Sequence, residues 1–216
     1  MYVSAHFAPE DANALVERLS ARHAALLISV GADGAPFGTH LPMIWDKVRQ
    51  SLTGHIARAN PHHTLTPSGR ALAVLGGAEA YVSPGFYPSK LEHGKTVPTW
   101  NYEVVHLSGT IEWFSDAAGL EAIVRALSDR HERTRDDAWT IEDAPRAYID
   151  AMLRAIVGVT LSVDKIEAKR KLSQNKNEAD YDGVASGLER SPHASDREIA
   201  AAMRKLRAVA DDPDGN

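Results

Sequence analysis

The sequence predicts an α+β fold, mainly β: an antiparallel β-barrel with flanking helices and a helical C-terminal tail. Six strand-like runs follow one another closely, the first five with little helix between them, which favours antiparallel strands over βαβ units. Turn signals separate the runs, and small barrels close on themselves to remove exposed edges. Helical periodicity is confined to the N-terminal segment, the stretch after the fifth strand and the tail.

Pro9 suits a first helical turn, Glu10 and Asp11 favour its N-terminus, and Ala12, Leu15, Val16 and Leu19 share one face, which predicts a helix from Pro9 to about Arg22. "AALLISV" (Ala24–Val30) is the first strand, and Asp33-Gly34 in "GADGAP" signals a hairpin to "FGTHLPMIW". The polar turn "DKVRQ" leads to "SLTGHIA", and after a break at "NPHHTLTPSG" comes "ALAVLGGAEAYVS". The fifth and longest strand is "VPTWNYEVVHLSGTIEW" (Val97–Trp113). Its bulky residues sit at even positions first (Trp100, Tyr102, Val104) and at odd positions later (Val105, Leu107, Ile111, Trp113). Alternate side chains face opposite ways, so this phase break predicts that the buried face changes sides or that a bulge lies near Val104-Val105.

A helix from Asp116 to His131 follows, capped by Ser115 or Asp116, with Leu120, Ile123, Val124 and Leu127 on one stripe. A second runs from Pro145 to about Leu153. "AIVGVTLSVDKIEAKRKLS" returns to strand character. In the tail, Tyr181, Val184, Ala185 and Leu188 mark one helix. Ser195 and Glu198 read as a capping box opening another, with Ile199, Ala202, Met203 and Leu206 on its face and "DDPDG" at its end.

The chain has 216 residues and is 44% hydrophobic, enough for one sizeable core or two small domains. Its net charge of −5 gives no global attraction to nucleic acid or anionic membranes. It contains no Cys, which excludes disulfides, thiolate metal sites and thiol nucleophiles. The N-terminus lacks a basic region followed by an apolar run, and the longest apolar run is too short to span a bilayer. The expectation is a cytoplasmic protein without a membrane partner. Dinucleotide-binding, Walker, nucleophile-elbow and H-E-x-x-H motifs are all missing. Among ten histidines, His40, His55, His62 and His63 lie nearest in sequence but lack ligand spacing, so no metal site is expected and no catalytic residue is assigned.

Three clusters stand out. In "GHIARANPHH", Arg58 and Asn60 lie at a strand-to-helix junction, which suits either an anion or a solvated Arg beside an ordinary helix start. "YVSPGFYPSKLEHGKTVPTWNY" (Tyr81–Tyr102) gathers five aromatics and three prolines around a loop. Its rings could stack on a flat ligand, or form a barrel lid or dimer contact. Thr99 and Asn101 fall on the face opposite Trp100 and Tyr102. "KIEAKRKLSQNK" (Lys165–Lys176) carries a net charge of +4 in twelve residues, with Lys169 and Lys171 on one face. It reads as a phosphate contact or as a lysine-protected edge, and Ser173-Gln174-Asn175 suits a turn or a polar ligand edge.

"MYVSAHF", "GHIARANPH", "YVSPGFYPSK", "EHGKTVPTWNY" and "KLSQNK", taken together and in order from Met1 to about Leu188, resemble the signature segments of the PaiB-like FMN-binding transcriptional regulators of bacteria. The resemblance implies a split β-barrel of the FMN-binding type over 1–176 with a helical extension over 177–216. It further implies FMN as cofactor, haem being a minor alternative, and a homodimer with flavin at the subunit interface. Arg58 and Asn60 are then expected on the phosphate side, with Thr99, Trp100 and Asn101 near the ring. Lys171, Ser173 and Gln174 would complete the pocket, and Lys90 joins them as a cofactor-binding residue. Arg170 departs from the family pattern, which has an apolar residue between the two lysines, and the tail after about Ser191 lies outside the resemblance. The implied function is negative regulation of transcription. The alternative is an FMN-dependent oxidoreductase, resembling flavin reductases or pyridoxamine-phosphate oxidases, without direct DNA binding. Arg197, Arg204, Lys205 and Arg207 give the last helix a basic face, a weak signal for DNA contact against the plainer reading of a solvated surface.

Overall fold

The structure, a computed structural model, describes residues 1–211; the "DDPDG" end of the last helix lies, from residue 212 onward, outside the described residues. Seven strands form one sheet: β1 (Ala25–Val30), β2 (Pro36–Leu41), β3 (Met43–Asp46), β4 (Ser51–Ala57), β5 (Ser68–Val82), β6 (Thr99–Phe114) and β7 (Ile156–Lys171). Their order is β2-β1-β5-β6-β7-β4-β3. The helices are α1 (Ala12–Ser20), α2 (His62–Leu65), α3 (Ser89–His93), α4 (Ala117–Glu132), α5 (Arg146–Arg154), α6 (Glu178–Glu189) and α7 (Ala194–Asp211). The chain divides into two compact units. One comprises Met1–Glu10, Gly76–Val104 and the chain from Ala168 onward; the other comprises Asp11–Leu75 and Val105–Glu167.

In the Asp11–Leu75/Val105–Glu167 unit, the predicted hairpin joins β1 to β2 in antiparallel register from Ala25↔Leu41 to Val30↔Pro36. Gly34 takes a φ of 81°, the left-handed conformation that Asp-Gly supplies at little cost. The single strand expected over "FGTHLPMIW" is two. Pro42 has no N–H for the ladder, and the chain turns from pairing with β1 to pairing β3 with β4, Met43↔Gly54 through Asp46↔Ser51. β4 in turn pairs with β7. At Gly109 a Cβ would lie 2.0 Å from the Ser162 carbonyl oxygen, so only glycine permits this approach of β6 to β7. Helix α1 starts later than Pro9, because the Asp11 side chain accepts a hydrogen bond from Ala14 N and caps it. Asp116 caps α4 in the same way through Gly119 N, and Leu120 of α4 packs with Ile149 and Leu153 of α5.

The break at "NPHHTLTPSG" contains the short helix α2, tied down by a directed hydrogen-bond chain. Asn60 Nδ2 donates to Thr39 Oγ1 (3.2 Å), which lies 2.9 Å from His62 Nδ1. On the other side of the ring, His62 Nε2 lies 2.6 Å from Ser29 Oγ. That hydroxyl donates to Thr66 Oγ1, which donates to His62 O. Because the Ser29 proton goes to Thr66, Nε2 must donate, and burial, which favours the neutral ring, leaves Nδ1 to accept from Thr39. The ring is fully buried, with Phe37 and Trp113 against it at 5.0 and 5.5 Å between centroids.

In the other unit, Ala80 and Val82 of β5, Leu172, Tyr181, Val184 and Leu188 of α6, and Ile199 and Met203 of α7 share one core. Gly183 and Gly187 let α6 lie against the Phe86 segment; a Cβ at Gly183 would sit 2.2 Å from Phe86 O. Ser195 does not open a capping box. The helix begins at Ala194, and the Ser195 hydroxyl instead bonds both the carbonyl and the N–H of Glu79.

The phase break in β6 does not move the buried face. Asn101, Glu103, Val105, Leu107, Gly109 and Ile111 are buried in unbroken alternation, without a bulge. What changes along the strand is chemistry, from polar to apolar, and Trp100 stays 50% exposed.

Burial lowers the pKa of His62, and likewise of His55 and His106. The unfolded chain therefore binds more protons than the folded one below the ordinary histidine value of about 6.5. Their contribution to stability is complete above that pH and is lost as pH falls toward the lowered folded values. Thermal melts should hold level above about pH 7 and drop progressively below about 6.5. His62→Asn should melt lower at neutral pH, by roughly 2 kcal/mol, with a shallower acid slope.

Candidate functional site

The candidate site lies in the unit made of Met1–Glu10, Gly76–Val104 and the chain from Ala168 onward, where β6 begins and β7 ends. Asn101 is fully buried and Glu103 is 3% exposed, so each polar side chain needs a partner. Asn101 Nδ2 donates to Ser173 Oγ at 3.0 Å, and that hydroxyl returns a bond to Asn101 Oδ1 at 3.2 Å. Met203 Sδ of α7 lies 3.5 Å from the same amide nitrogen. Glu103 takes the guanidinium of Arg170 at 2.6 Å. Arg170 is thus the countercharge for a carboxylate that the strand buries.

Ser173 has a φ of 66°, a left-handed conformation unusual for a residue with a side chain. The strain brings its hydroxyl to Asn101 and turns the chain out of β7. Gln174 closes that turn, its Oε1 accepting from Leu172 N and its Nε2 donating to Arg170 O. Lys171 Nζ donates to Thr99 Oγ1 and, at 2.6 Å, to the Trp100 carbonyl. Burial, reinforced by Lys169 and Lys176, lowers the pKa of Lys171.

These groups surround a cavity of about 200 Å³ lined by Tyr87, Val97, Pro98, Thr99, Asn101, Lys171, Ser173, Asn175 and Lys176. The lining includes two ammonium groups and no carboxylate. Tyr87 is 2% exposed, and its hydroxyl has no hydrogen-bond partner among the described residues. Lys176 Nζ lies 4.6 Å from the centre of its ring. Beside the cavity, Trp100 meets Tyr81 edge to face at 6.0 Å. Lys169 Nζ lies within 6 Å of the rings of Tyr2, Phe7 and Tyr102.

Of the predicted site residues, the cavity brings together Thr99, Asn101, Lys171 and Ser173. Trp100 and Gln174 adjoin it without lining it. Lys90 is exposed on α3 and is not part of the lining. Arg58 and Asn60 belong to the other unit. Arg58 donates to the carbonyls of Arg154 and Ile156 and lines a second cavity of about 570 Å³ with Leu120, Asp150 and Leu153. Both ends of the Asn60 amide are engaged, one with Thr39 and the other with His62 N. Tyr87 and Lys176 were not singled out from the sequence, although both lie inside quoted segments, "YVSPGFYPSK" and "KLSQNK". Periodicity assigns neither a ligand role. Met203 was read only as core of a tail helix, and its contact with Asn101 has no sequence signal.

The Glu103–Arg170 pair yields a direct test. Arg170→Met should destabilise the protein by about 2 kcal/mol in urea unfolding, below the range for a fully buried pair because Arg170 keeps some solvent contact. Adding Glu103→Leu to Arg170→Met should recover most of that loss, since the buried charge is then gone as well.

The model of the family described as "Putative FMN-binding domain" matches residues 1–165. Protease synthase and sporulation protein PAI 2 of Bacillus subtilis (strain 168) is 31% identical over 173 residues, covering 79% of this chain and 81% of that protein. Uncharacterized protein AN0679 of Emericella nidulans is 28% identical over 208 residues, covering 80% of this chain and 83% of that protein. Among solved structures, conserved hypothetical protein Rv2991 from Mycobacterium tuberculosis superposes with a TM-score of 0.57 at 14% identity, covering 81% of this chain and 92% of that one. The FAD and heme binding protein from Mycobacterium smegmatis gives a TM-score of 0.57 at 18% identity, covering 83% and 79%. These two likenesses are of fold, and the fold is the split-barrel α+β class that the sequence predicted. With the family model spanning most of the chain and the Bacillus relative matched along most of its length, the chain belongs to the PaiB-like FMN-binding family.

Proposed function

We propose that this chain is an FMN-binding negative regulator of transcription that works as a homodimer, with flavin held at the subunit interface. The observation that carries the reading is the cavity at the start of β6. Its hydroxyl, amide and ammonium groups, free of any lining carboxylate, suit the acceptor-rich edges of a flavin. FMN, when bound, supplies electron and hydride transfer; the residues here bind and orient it. Thr99, Asn101, Lys171 and Ser173 would meet the ligand directly, with Trp100 beside it and Gln174 holding the turn. Arg58, Asn60 and Lys90 stay proposed contacts on the strength of the family segments alone.

Cavity size supports the dimer. Pockets that enclose a whole ligand usually measure about 300–1,000 Å³, and about 200 Å³ is enough for part of a flavin only. The remainder needs another surface. The exposed rings of Trp100, Tyr81 and Tyr2 are the apolar area that a second copy would cover. The family likeness to the Bacillus protein, whose name ties it to protease synthesis and sporulation, motivates the regulatory part. The arginines of α7 are occupied: Arg204 binds Glu189 and Asp182, Arg207 binds Glu178 and Asp182, and Arg197 donates to Ser191 O. We therefore favour regulation through the flavin-dependent state of the protein over reading of DNA by α7. No helix among the described residues is long and apolar enough to cross a membrane. We take 1–176 as the FMN-binding domain and 177–216 as a helical extension, and the expected location is the cytoplasm.

The purified protein should show flavin absorption in the visible range, or quench FMN fluorescence saturably on titration, and should run as a dimer by light scattering. A colourless protein that fails to bind added FMN overturns the reading. Trp100→Ala should lower flavin occupancy while far-UV circular dichroism is unchanged. Lys171→Met should weaken FMN binding about tenfold, as expected for loss of a charged hydrogen bond.

A further inference from the structure

Tyr87 is the one cavity-lining side chain whose polar atom the protein buries and leaves unused. Asn101 and Ser173 satisfy each other, and Lys171 is spent on Thr99 and the Trp100 carbonyl. The Tyr87 hydroxyl, shielded from solvent in a residue 2% exposed, has no partner among the described residues. A buried hydroxyl left unpaired is costly, and such groups in native structures call for an explanation. Packing offers none. The ring already fills its place in the core with Ala80, Val82 and Leu172, and phenylalanine would fill it without the cost.

We propose that Tyr87 is a ligand-recognition residue, whose hydroxyl donates a hydrogen bond to an acceptor oxygen or nitrogen on the ring edge of the bound flavin, with Lys176 as its cationic support. The inference rests on the FMN reading of the cavity. Lys176 lies over the face of the phenol ring, where a cation draws electron density from the ring and sharpens the O–H as a donor. Burial, and then Asp180, raise the pKa of Tyr87, so the proton is retained across the neutral range. Asp180 does not compete for it. Its carboxylate accepts from the N–H and hydroxyl of Ser89, which fixes the helix that follows Tyr87. With Lys171 and Lys176 as the lining charges, the cavity favours an electron-rich acceptor over a donor or a cation.

The same acceptor chemistry is found on the flavin ring edge and on the FMN phosphate, and Tyr87→Phe separates them when titrated with FMN, riboflavin and inorganic phosphate. The expected result is five- to twentyfold weaker binding of FMN and of riboflavin alike. The melting temperature of the ligand-free variant should be equal to or above that of the parent. Lys176→Met should shift both affinities in the same direction by a smaller factor. Weakening confined to FMN, with inorganic phosphate competing, would overturn the ring-edge assignment in favour of the phosphate. Unchanged affinity for both flavins would overturn a ligand role for Tyr87 while leaving the FMN reading intact. A lowered melting temperature with unchanged affinity would make the hydroxyl structural. If the parent protein itself binds neither flavin, the FMN reading fails first and this inference falls with it.

Discussion

The buried polar start of β6 is the constraint on which the site depends. A strand that places Asn101 and Glu103 on the same face as Val105, Leu107 and Ile111 cannot bury that face against hydrocarbon alone. Its neighbours must supply matched partners, and the end of β7 does so through Arg170 and Ser173. The pairing has structural consequences of its own. Arg170 must stand between two lysines, Ser173 must adopt a left-handed backbone, and Gln174 must turn back on the chain to close the loop. An apolar pair in place of Glu103 and Arg170 would hold the strands nearly as well. What it would not do is hold a polar wall in one geometry, and a wall of fixed donors is what a ligand needs.

The sequence made the architecture legible because strand lengths and turn chemistry are local. Asp33-Gly34 announces its hairpin, the bounds of "SLTGHIA" coincide with those of β4, and the stripes of α4 and α6 read directly from spacing. Where the reading failed, the deciding contact was non-local. The phase break in "VPTWNYEVVHLSGTIEW" assumed that bulky residues mark the buried face. In β6 the buried residues of the first half are an amide and a carboxylate, made affordable by groups about seventy positions away. Trp100 and Tyr102 mislead for the same reason, since hydrophobicity alone does not place a side chain inside when its strand's other face is already committed. Ser195 looked like a cap and proved to be a link to Glu79, again a partner more than a hundred residues distant.

The tail shows how far motif reading reaches. The family model stops at residue 165, yet Lys171, Ser173 and Lys176 line the cavity, and Met203 of α7 touches Asn101. Helices α6 and α7 are held as a pair by their core and by arginines of α7 answering carboxylates of α6. The basic face that a helical-wheel reading would offer to DNA is in large part this internal zipper. Helix α7 also brings Met203 Sδ to the amide of Asn101, so it packs against the candidate site.

Within the cavity Thr99, Asn101, Lys171 and Ser173 are paired with other protein groups before any ligand arrives. Preorganisation of this kind lowers the entropic cost of binding, because the donors need no reordering. It also limits what is left to recognise the ligand. Groups already paired present only their remaining hydrogens and lone pairs, whereas an unpaired buried hydroxyl can gain a whole hydrogen bond on complex formation. Tyr87 contributes to the free-energy difference between empty and filled states, because the empty state carries an unsatisfied buried donor there and the filled state does not. A side chain that penalises the ligand-free form in this way makes occupancy itself stabilising, which is the property a protein needs if its folded state is to report whether the ligand is bound.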